Sequence, residues 1–450
     1  MIPPRTPPGV LELLPGEQAS FRRLLDVIAG TFERFGFVEI ETPVFERSEI
    51  LLTKTGGDTE RQIYFVQSTG SMDSEGPPDL ALRFDLTVPL ARYVAEHQHD
   101  LAFPFKRYQI QRVYRGERPQ RGRFREFYQC DIDVIGRDHL SLRHDAELPA
   151  VIHDVFDRIG VGPFTIRISN RLLMSGLLSQ LGVGDDAHPA VLREVDKLDR
   201  RTAAEVRASL VESGLDDATA DAVIDLVTTR ARGAGAAIEA LGNLTTEDER
   251  ARTGVAHLRV VFETLAELGV PDDRYDLDLG VARGLEYYTG TVYETTLDDH
   301  PEIGSVCSGG RYEDLAGLYT NTRLPGVGIS IGLTRLFWQL REAGLLGGSP
   351  TSVHAYVTIM DEAGVAAALR LATTLRAGGL NTDVAAEPGR LGKQLKHADR
   401  LGVRFALIVG EDERSKGTVT VRDLVAGDQV EVDVADAADA LRQRLQAGES

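Results

Sequence analysis

The sequence has 450 residues, 42% of them hydrophobic and 26% charged, which is typical of a globular protein with two or three domains. Its formal net charge of −19 excludes a protein that coats nucleic acid through bulk positive potential. No apolar stretch reaches the roughly 18 residues of a membrane span, and the beginning lacks an apolar export signal. Two cysteines without a CxxC pair predict no disulfide framework, no structural zinc site and a cytoplasmic location.

The first part of the chain combines one long helix with several strands. Residues 17–35 carry apolar side chains at helical spacing, and GFVEIETPVFE alternates as a strand in which Pro43 indicates an edge, a bend or a new strand. We expect a hairpin next, then a polar loop at 68–79 and another strand. Two further strands flank the loop 116–122. This order predicts an α+β antiparallel sheet domain rather than a doubly wound fold.

The middle and the end of the chain differ from that pattern. Residues 172–268 carry several helical periodicities and almost no strand signal, which predicts a largely helical insertion. Strands resume after Pro271, and GVGISIGLTRLFWQL predicts a strand that runs into a helix. The small-residue segment 343–350 predicts a linker between a domain at 1–342 and a domain at 351–450. Strand and helix alternate after the linker, which predicts a small α/β domain.

One short segment of this acidic chain is strongly basic. Between Lys106 and Arg125 eight cations stand against the single acid Glu117. A charge run of this kind usually forms a solvated face, but its excess here favours a local site for a polyanion, either ATP phosphates or a nucleic-acid backbone. The cations are Lys106, Arg107, Arg112, Arg115, Arg118, Arg121, Arg123 and Arg125.

Common nucleotide-binding and hydrolase signatures are missing from the sequence. It has no GxxxxGK[ST], so a P-loop does not hold ATP, and HExxH, GxSxG and kinase signatures are absent as well. Gly326, Gly328 and Gly332 have the wrong spacing for a GxGxxG turn. We expect these glycines to permit close strand packing instead.

Polar residues at strand spacing suggest a binding site on the predicted sheet. In RFDLTVPLARY, Asp85 and Thr87 would lie on the same side of an extended strand, although Asp85 could also be a capping residue at a strand edge. The same alternation places Phe127 and Gln129 on one face of the next strand pair, and Asp133 shares that face.

Arginines on separate strands extend this cluster. Arg115 belongs to VYRGERPQRGRFREFYQ, Arg283 stands beside two tyrosines in VARGLEYYTG, and Arg335 follows SGGRY in GLTRLFW. A single buried arginine could form a structural ion pair. Several arginines, together with acids and tyrosines on one sheet, favour a site for an anion and a zwitterion.

These segments resemble a known family. GFVEIETPVFE, VYRGERPQRGRFREFYQ and GVGISIGLTRLF resemble motifs 1, 2 and 3 of class II aminoacyl-tRNA synthetases, and RGLEYYTG with SGGRY resembles the signatures of the histidyl-tRNA synthetase family. The resemblance runs from about Pro15 to the end, and its last part is similar to an anticodon-binding domain. FDLT stands where many bacterial members have an EGT-type segment, and Asp133 where they have Glu. Both features are closer to a second branch of the family.

The resemblance implies a two-step enzyme. Histidine and ATP would form histidyl-adenylate and pyrophosphate, and the histidyl group would then move to tRNA(His). It further implies ATP and Mg²⁺ as cofactors, with the metal ligands unassigned. A homodimer is expected through the segment around Phe21 to Phe45.

One set of residues would bind histidine. The resemblance implies that Asp85, Thr87 and Gln129 receive the α-amino group, while Asp133 and Tyr288 recognise the imidazole ring. Buried polar atoms would be left unpaired by an apolar amino acid, which is worth discrimination of roughly 10⁴–10⁵. The full set that the resemblance assigns to histidine is Asp85, Thr87, Gln129, Asp133, Arg283, Tyr287, Tyr288 and Tyr312.

A second set would bind ATP and stabilise the reacting charge. Arg115 would hold the α-phosphate, Phe127 and Arg335 would lie on the two faces of adenine, and Glu117 would lie near its amino group or a Mg²⁺. Arg283 and Arg115 would be catalytic, because negative charge develops at the α-phosphate. The residues that the resemblance assigns to ATP are Arg115, Glu117, Arg123, Phe127 and Arg335.

Two alternatives share this fold. One is a non-catalytic paralogue that acts as a regulatory subunit of histidine biosynthesis. Such proteins lack a C-terminal domain and usually lose site arginines, whereas residues 351–450, Arg115, Arg283 and Arg335 are all present here. The other is a class II synthetase for glycine, proline or threonine, which RGLEYYTG argues against.

Overall fold

The computed structural model describes residues 2–52, 61–71, 78–118, 122–284, 287–314, 316–346 and 350–447. Arg121, residues 285–286 of RGLEYYTG, residues 72–77 of the expected polar loop and residues 347–349 of the expected linker lie outside this described part. The chain forms two compact units. One consists of Met1–Leu11 and Leu24–Leu345, the other of Glu12–Arg23 and Leu346–Ser450.

The first unit contains a large, mainly antiparallel sheet. The strands described in this unit are β1 (Val38–Glu39), β2 (Phe45–Arg47), β3 (Phe65–Val66), β4 (Leu80–Leu82), β5 (Phe105–Tyr114), β6 (Glu126–Ile135), β7 (Phe164–Asn170), β8 (Arg230–Arg232), β9 (Tyr275–Asp278), β10 (Thr291–Leu297), β11 (Ser305–Tyr312) and β12 (Gly326–Ile331). Nine of them form one sheet in the order β1-β5-β6-β12-β11-β10-β7-β9-β8. Only β1–β5 and β7–β9 are parallel pairs in the described sheet. The strands β2, β4 and β3 form a small antiparallel sheet.

Helices surround this sheet and form most of the insertion. They are the part of α1 (Pro15–Arg34) that begins at Leu24, α2 (Ser48–Leu52), α3 (Thr87–His97), α4 (Arg143–Ile159), α5 (Arg171–Gln180), α6 (His188–Val195), α7 (Ala203–Glu212), α8 (Asp217–Val227), α9 (Gly233–Asn243), α10 (Glu249–Glu267) and α11 (Leu333–Glu342). Side chains of Asn170, Thr202, Asp216 and Asp248 cap α5, α7, α8 and α10, which satisfies backbone N–H groups at their first turns. The prediction of a largely helical insertion is confirmed, but β8 within it was not predicted.

The second unit is a small α/β structure. Its strands are β13 (Ala355–Val357), β14 (Thr382–Val384), β15 (Phe405–Ile408), β16 (Thr418–Asp423) and β17 (Gln429–Asp433), in the mixed order β14-β13-β15-β16-β17. Its helices are α12 (Val365–Ala377), α13 (Leu391–Arg400), α14 (Glu411–Lys416) and α15 (Ala437–Ala447). Phe405 and Leu407 of β15 are completely buried in its apolar core, and so is Leu441 of α15. The α+β fold class with an additional α/β domain is therefore confirmed.

Two local predictions about site residues were wrong. Asp85 and Thr87 do not lie on a strand, because β4 ends at Leu82 and α3 begins at Thr87. Asp85 instead accepts a hydrogen bond from the Val88 backbone N–H (3.1 Å) in the first turn of α3, although the N-cap residue itself is Leu86. This agrees with the capping role of the alternative interpretation but not with its strand edge.

The three arginines expected on separate strands do not lie on strands either: Arg283 is in the loop between β9 and β10, Arg115 follows the end of β5 at Tyr114, and Arg335 belongs to α11. Among the described residues, none of the helices is both long and apolar enough to span a bilayer.

Candidate active site

A cavity of about 1260 Å³ opens over the middle of the large sheet. Strands β6, β11 and β12 contribute to its wall, together with the start of α11 and the loop that carries Arg283. All of the site residues named from the sequence line this cavity. They are Asp85, Thr87, Arg115, Glu117, Arg123, Phe127, Gln129, Asp133, Arg283, Tyr287, Tyr288, Tyr312 and Arg335.

Strand β6 provides the polar floor of the cavity. Phe127, Gln129, Asp131 and Asp133 alternate along the strand and therefore share one face, and all four line the cavity. Asp131 pairs in register with Ser330 of β12, whose hydroxyl accepts a hydrogen bond from Gln129 Nε2 (2.8 Å). The alternation of β6 therefore places the side chains of three acceptor residues, Gln129, Asp131 and Asp133, on the side of the sheet that faces the cavity.

Glycines on the neighbouring strands leave room for this row. A Cβ atom on Gly328 would lie 2.1 Å from Asp133 Oδ1, and one on Gly310 would lie 2.7 Å from the Tyr288 ring. A Cβ atom on Gly326 would lie 2.3 Å from the ring of Tyr312. Gly310, Gly326 and Gly328 therefore make space for side chains of the site. A Cβ atom on Gly328 would also lie 2.9 Å from the Ile132 carbonyl oxygen, so the close strand packing that we expected contributes as well, whereas one on Gly332 would come no nearer than 3.9 Å to any described residue beyond its chain neighbours.

Asp133 is held by two buried partners. Arg107 of β5, which is completely buried, forms an ion pair with Asp133. The Tyr312 hydroxyl donates a hydrogen bond to Asp133 Oδ1 (2.9 Å). Burial raises the pKa of Asp133 above its ordinary value, and Arg107 and Tyr312 oppose that shift. This carboxylate is fixed in orientation, with further lone pairs available to a ligand.

Asp85 forms a second buried acceptor on the cavity wall. Burial raises its pKa, while the Val88 N–H and the charge of Arg115 lower it. The Tyr287 hydroxyl donates to Asp85 Oδ2 at 3.4 Å. Two of the predicted tyrosines therefore contact the two predicted carboxylates directly.

Guanidinium groups collect on another part of the wall. Arg115 donates from Nε to the Phe84 carbonyl (3.0 Å), and its guanidinium carbon lies 5.1 Å from the centre of the Phe127 ring. Arg335 donates from Nη2 to the Ile303 carbonyl (2.9 Å). Burial lowers the pKa of Arg335, and the positive charges of Arg123, Arg200 and Arg283 lower it further. Like charges in a shared cavity repel each other, so this arrangement favours a bound polyanion.

Arg283 belongs to an ion-pair network that the sequence did not reveal. Its Nε contacts Glu294 Oε1 at 2.7 Å, and its Nη1 contacts Asp196 Oδ2 of the insertion at 3.3 Å. The other oxygen of Glu294 contacts Arg167 Nη1 at 3.0 Å. Arg171 Nη2 also donates to the Arg283 carbonyl at 2.6 Å. The structural ion pairs that the sequence left open for a buried arginine therefore exist, with Glu294 and Asp196 as partners.

The basic segment between Lys106 and Arg125 does not act as one site. Arg115 and Arg123 line the cavity, whereas Lys106 forms an ion pair with Glu147 and Arg112 forms one with Glu126. Sequence order alone could not separate these roles, because Arg115 and Arg123 lie beyond the end of β5 at Tyr114, where strand alternation no longer fixes the side of a residue.

Sequence analysis missed several residues of this site. Asp131 shares the alternation that identified Gln129 and Asp133, so that signal was available. Glu294 gave a weaker signal as an acid within an otherwise apolar and threonine-rich strand. Asp196 and Arg200 come from the insertion, where nothing in the sequence distinguishes them from other surface charges.

Comparison with known proteins follows the same division of the chain. A family described as "Histidyl-tRNA synthetase" matches residues 9–336, and one described as "Anticodon binding domain" matches residues 354–444. The chain belongs to the histidyl-tRNA synthetase family. It is 58% identical to the histidine–tRNA ligase of Stenotrophomonas maltophilia, over 96% of each chain. It is 57% identical to that of Xanthomonas campestris, over 96% of this chain and 94% of the relative.

Solved structures of the family share the fold. The histidyl-tRNA synthetase of Nostoc sp. PCC 7120 superimposes with a TM-score of 0.91 at 41% identity, over 99% of this chain and 100% of the other. A protein of Bacillus halodurans titled ATP phosphoribosyltransferase regulatory subunit/histidyl-tRNA synthetase has a TM-score of 0.70 at 22% identity, over 87% and 96%. The second likeness concerns the fold alone.

Proposed function

We propose that the chain activates histidine with ATP to form histidyl-adenylate and transfers the histidyl group to tRNA(His). The observation that carries this proposal is the composition of one cavity. Buried acceptors (Asp85, Gln129, Asp133) suit an amino acid with several N–H groups, and the guanidinium cluster suits a polyphosphate. Relatives at 57–58% identity named histidine–tRNA ligase support the same reaction.

The first step brings together two anions, the histidine carboxylate and the α-phosphate. Arg115 is proposed to bind the α-phosphate through its planar fork, and Phe127 to stack on adenine, with Arg335 and Arg123 near the nucleotide. Arg283 is proposed to stabilise the charge that develops as the carboxylate attacks the α-phosphate. Glu294 keeps this guanidinium in place before the reaction, which limits reorganisation during the step.

The acidic part of the cavity is proposed to select histidine. Asp85, Thr87 and Gln129 would bind the α-amino group, and Asp133 with Tyr288 would bind the imidazole ring. Arg107 fixes Asp133, so an apolar competitor would leave a buried charged acceptor without its ligand. Tyr287 and Tyr312 complete the pocket through their hydroxyl contacts with the two carboxylates.

Mg²⁺ fits this site as a companion of ATP. No group of three or more potential ligand side chains occurs among the described residues, but Mg²⁺ usually takes one or two protein carboxylates and phosphate oxygens. Glu117 lines the cavity beside Arg123 (3.8 Å) and is the proposed protein ligand. When bound, the ion would offset phosphate charge.

The remaining assignments concern the whole chain. We propose that residues 1–342 form the catalytic domain, 343–350 a linker and 351–450 the domain that binds the anticodon of tRNA(His). A cytoplasmic homodimer through the segment around Phe21 to Phe45 is also proposed, as symmetric dimers are the commonest assemblies. Light scattering that gave a monomer of 49.2 kDa at micromolar concentration would argue against the dimer.

ATP–pyrophosphate exchange with each standard amino acid tests the function. Only histidine is expected to support exchange, and tRNA(His) should then accept the activated group. Asp133→Asn should raise the KM for histidine and leave the KM for ATP nearly unchanged, since the amide loses a charge-assisted hydrogen bond. A protein without exchange for any amino acid would favour the regulatory-subunit alternative, and exchange with glycine, proline or threonine would favour another synthetase.

A further inference from the structure

The acidic part of the cavity contains more negative charge than the proposed roles use. Asp85, Asp131 and Asp133 are 9%, 3% and 4% exposed, and all three line the cavity. Only Asp85 and Asp133 have a role in the proposed binding of histidine. Asp131 lies between Gln129 and Asp133 on the same face of β6.

Asp131 has an unused acceptor. Its Oδ1 is buried without a hydrogen-bond partner in the described part of the chain, and so is Oε1 of the neighbouring Gln129. A buried acceptor that lacks a donor is costly, by about 1–3 kcal/mol, unless a ligand supplies one. Two such atoms, on residues two apart in a strand that lines the cavity, favour a ligand with more than one N–H group.

The charges around Asp131 leave it only partly compensated. The pKa of Asp131 is raised to about 7, chiefly by burial. The negative charges of Asp133 and Asp85 raise it as well, whereas Arg107 and a hydrogen bond from Ser330 lower it. Several charged or titratable groups of β5, β6, β11 and the loops interact electrostatically with Asp131. They are Arg107, Cys130, Asp133, Cys307, Asp85 and Tyr288. Arg107 is the single cation in this set, and Asp133 already pairs with it.

Charge balance then restricts the ligand. Asp85 has the positive charge of Arg115 beside it and the α-ammonium group of histidine as its proposed partner. The remaining groups, Asp131, Asp133 and Arg107, sum to −1 when all are ionised, so one negative charge stays buried unless a further proton enters. Histidine can supply that proton through its ring, whose ordinary pKa of about 6.5 is close to the pKa of Asp131.

We propose that Asp131 is a further histidine-binding residue, which binds the substrate ring together with Asp133 so that both ring nitrogens donate, as an imidazolium. This inference rests on the proposed function. Residues i and i+2 of a strand lie about 7 Å apart, and a charge-assisted hydrogen bond spans about 2.8 Å. An imidazolium ring, whose two N–H groups flank one ring carbon and point away from each other, suits two carboxylates at this spacing.

The first test compares histidine with 2-fluorohistidine, which has nearly the same shape and a far less basic ring. Asp131→Asn should lower kcat/KM for histidine in pyrophosphate exchange by about 10- to 100-fold, because a charge-assisted hydrogen bond becomes a neutral one. The same variant should change kcat/KM for 2-fluorohistidine by less than about threefold. The control is Asp423→Asn, which alters a similarly buried carboxylate (2% exposed) of the second unit. It should leave kcat/KM unchanged for both histidine and 2-fluorohistidine.

The second test needs no substitution. Near pH 8 Asp131 is ionised in the protein without histidine, and the ring of histidine in solution is neutral. Formation of the complex should therefore take up about one proton. Calorimetric titration of the wild-type protein with histidine, in two buffers of different ionisation enthalpy, measures this uptake. The uptake should disappear in Asp131→Asn. In the wild-type protein it should decrease as the pH is lowered and turn to release below about pH 6.8, midway between the pKa of Asp131 and that of the free ring.

Three results would overturn the inference. Equal losses for histidine and 2-fluorohistidine would mean that Asp131 binds the ammonium group or acts through the fold. No loss for either substrate, or no proton uptake by the wild-type protein, would remove Asp131 from the ring contact. A wild-type protein without histidine-dependent exchange would instead contradict the proposed function, so the two failures are distinguishable.

Discussion

Arg283 shows how one residue can be both structurally paired and available for catalysis. Its Nε is bound by Glu294, which is 1% exposed, and its Nη1 reaches Asp196 on the short 3₁₀ helix Asp196–Asp199. Glu294 also contacts Arg167, which is itself bound to Asp278 at 2.6 Å. Glu294 therefore keeps a cationic partner even if the Arg283 side chain is removed.

Arg283→Ala should consequently affect the rate far more than the stability. Loss of one preorganised donor to a developing oxyanion lowers the rate by roughly 10²–10³, and we expect that loss in single-turnover formation of the adenylate. The melting temperature should change little, since Arg167 remains on Glu294. Arg283→Lys should restore little activity, because an ammonium group lacks the planar fork.

The opposite result has a clear meaning for this residue. If Arg283 served only the fold, its removal would destabilise the protein by roughly 3–5 kcal/mol, as for a buried carboxylate that loses its cation. A large fall in melting temperature with near-normal turnover in the folded fraction would exclude a catalytic role.

At the scale of elements, regular strands were predictable and the segments next to them were not. The alternation of β6 correctly grouped Phe127, Gln129 and Asp133, because a strand fixes the side of each residue. The segment with Asp85 has a similar apolar pattern, yet a helix begins at Thr87, where Pro89 in the first turn and the capping Asp85 were available signals. Tertiary pairing between Glu294 and the Arg283 loop has no local signature at all.

Strand β12 provides a test of how an element shapes the site. Gly328→Ala should raise the KM for histidine by about tenfold or more and lower the melting temperature, because its new Cβ would lie 2.1 Å from Asp133 Oδ1. The carboxylate would have to move away from the Arg107 and Tyr312 contacts. Exchange kinetics over a range of histidine and ATP concentrations would measure the effect, and the KM for ATP should stay nearly constant.

A matched glycine separates this effect from a general one. Among the described residues, none beyond its own helix would come within 4 Å of a Cβ atom on Gly235 of α9. Gly235→Ala should therefore leave the KM for histidine unchanged. Equal KM values for Gly328→Ala and the wild-type protein would show that Asp133 does not contact the substrate.

At the scale of the molecule, the proposed histidine and ATP site and the proposed anticodon-binding domain belong to different parts of the chain. The thirteen site residues named from the sequence all belong to the first unit, within 85–335. The second unit has its own five-stranded sheet and its own buried core, whose fully buried members run from Ala355 to Leu441. Its proposed task, contact with unpaired bases, depends on stacking and recognition of base edges rather than on bulk charge. This division agrees with an acidic chain that nevertheless acts on tRNA.

Deletion of residues 351–450 should therefore spare histidine activation and remove most of the tRNA charging. Stacking of a single unpaired base contributes about 1–3 kcal/mol, so losing even one such contact lowers kcat/KM for tRNA by roughly 10- to 100-fold. Pyrophosphate exchange and tRNA charging would be measured on the same preparation, with circular dichroism to establish that it is folded. Full-length Arg283→Ala is the matched contrast, because it should lose activation itself. A folded, shortened chain that charges tRNA as well as the full chain would contradict the anticodon-binding role, since the contacts that select tRNA(His) would then have to lie within the catalytic unit.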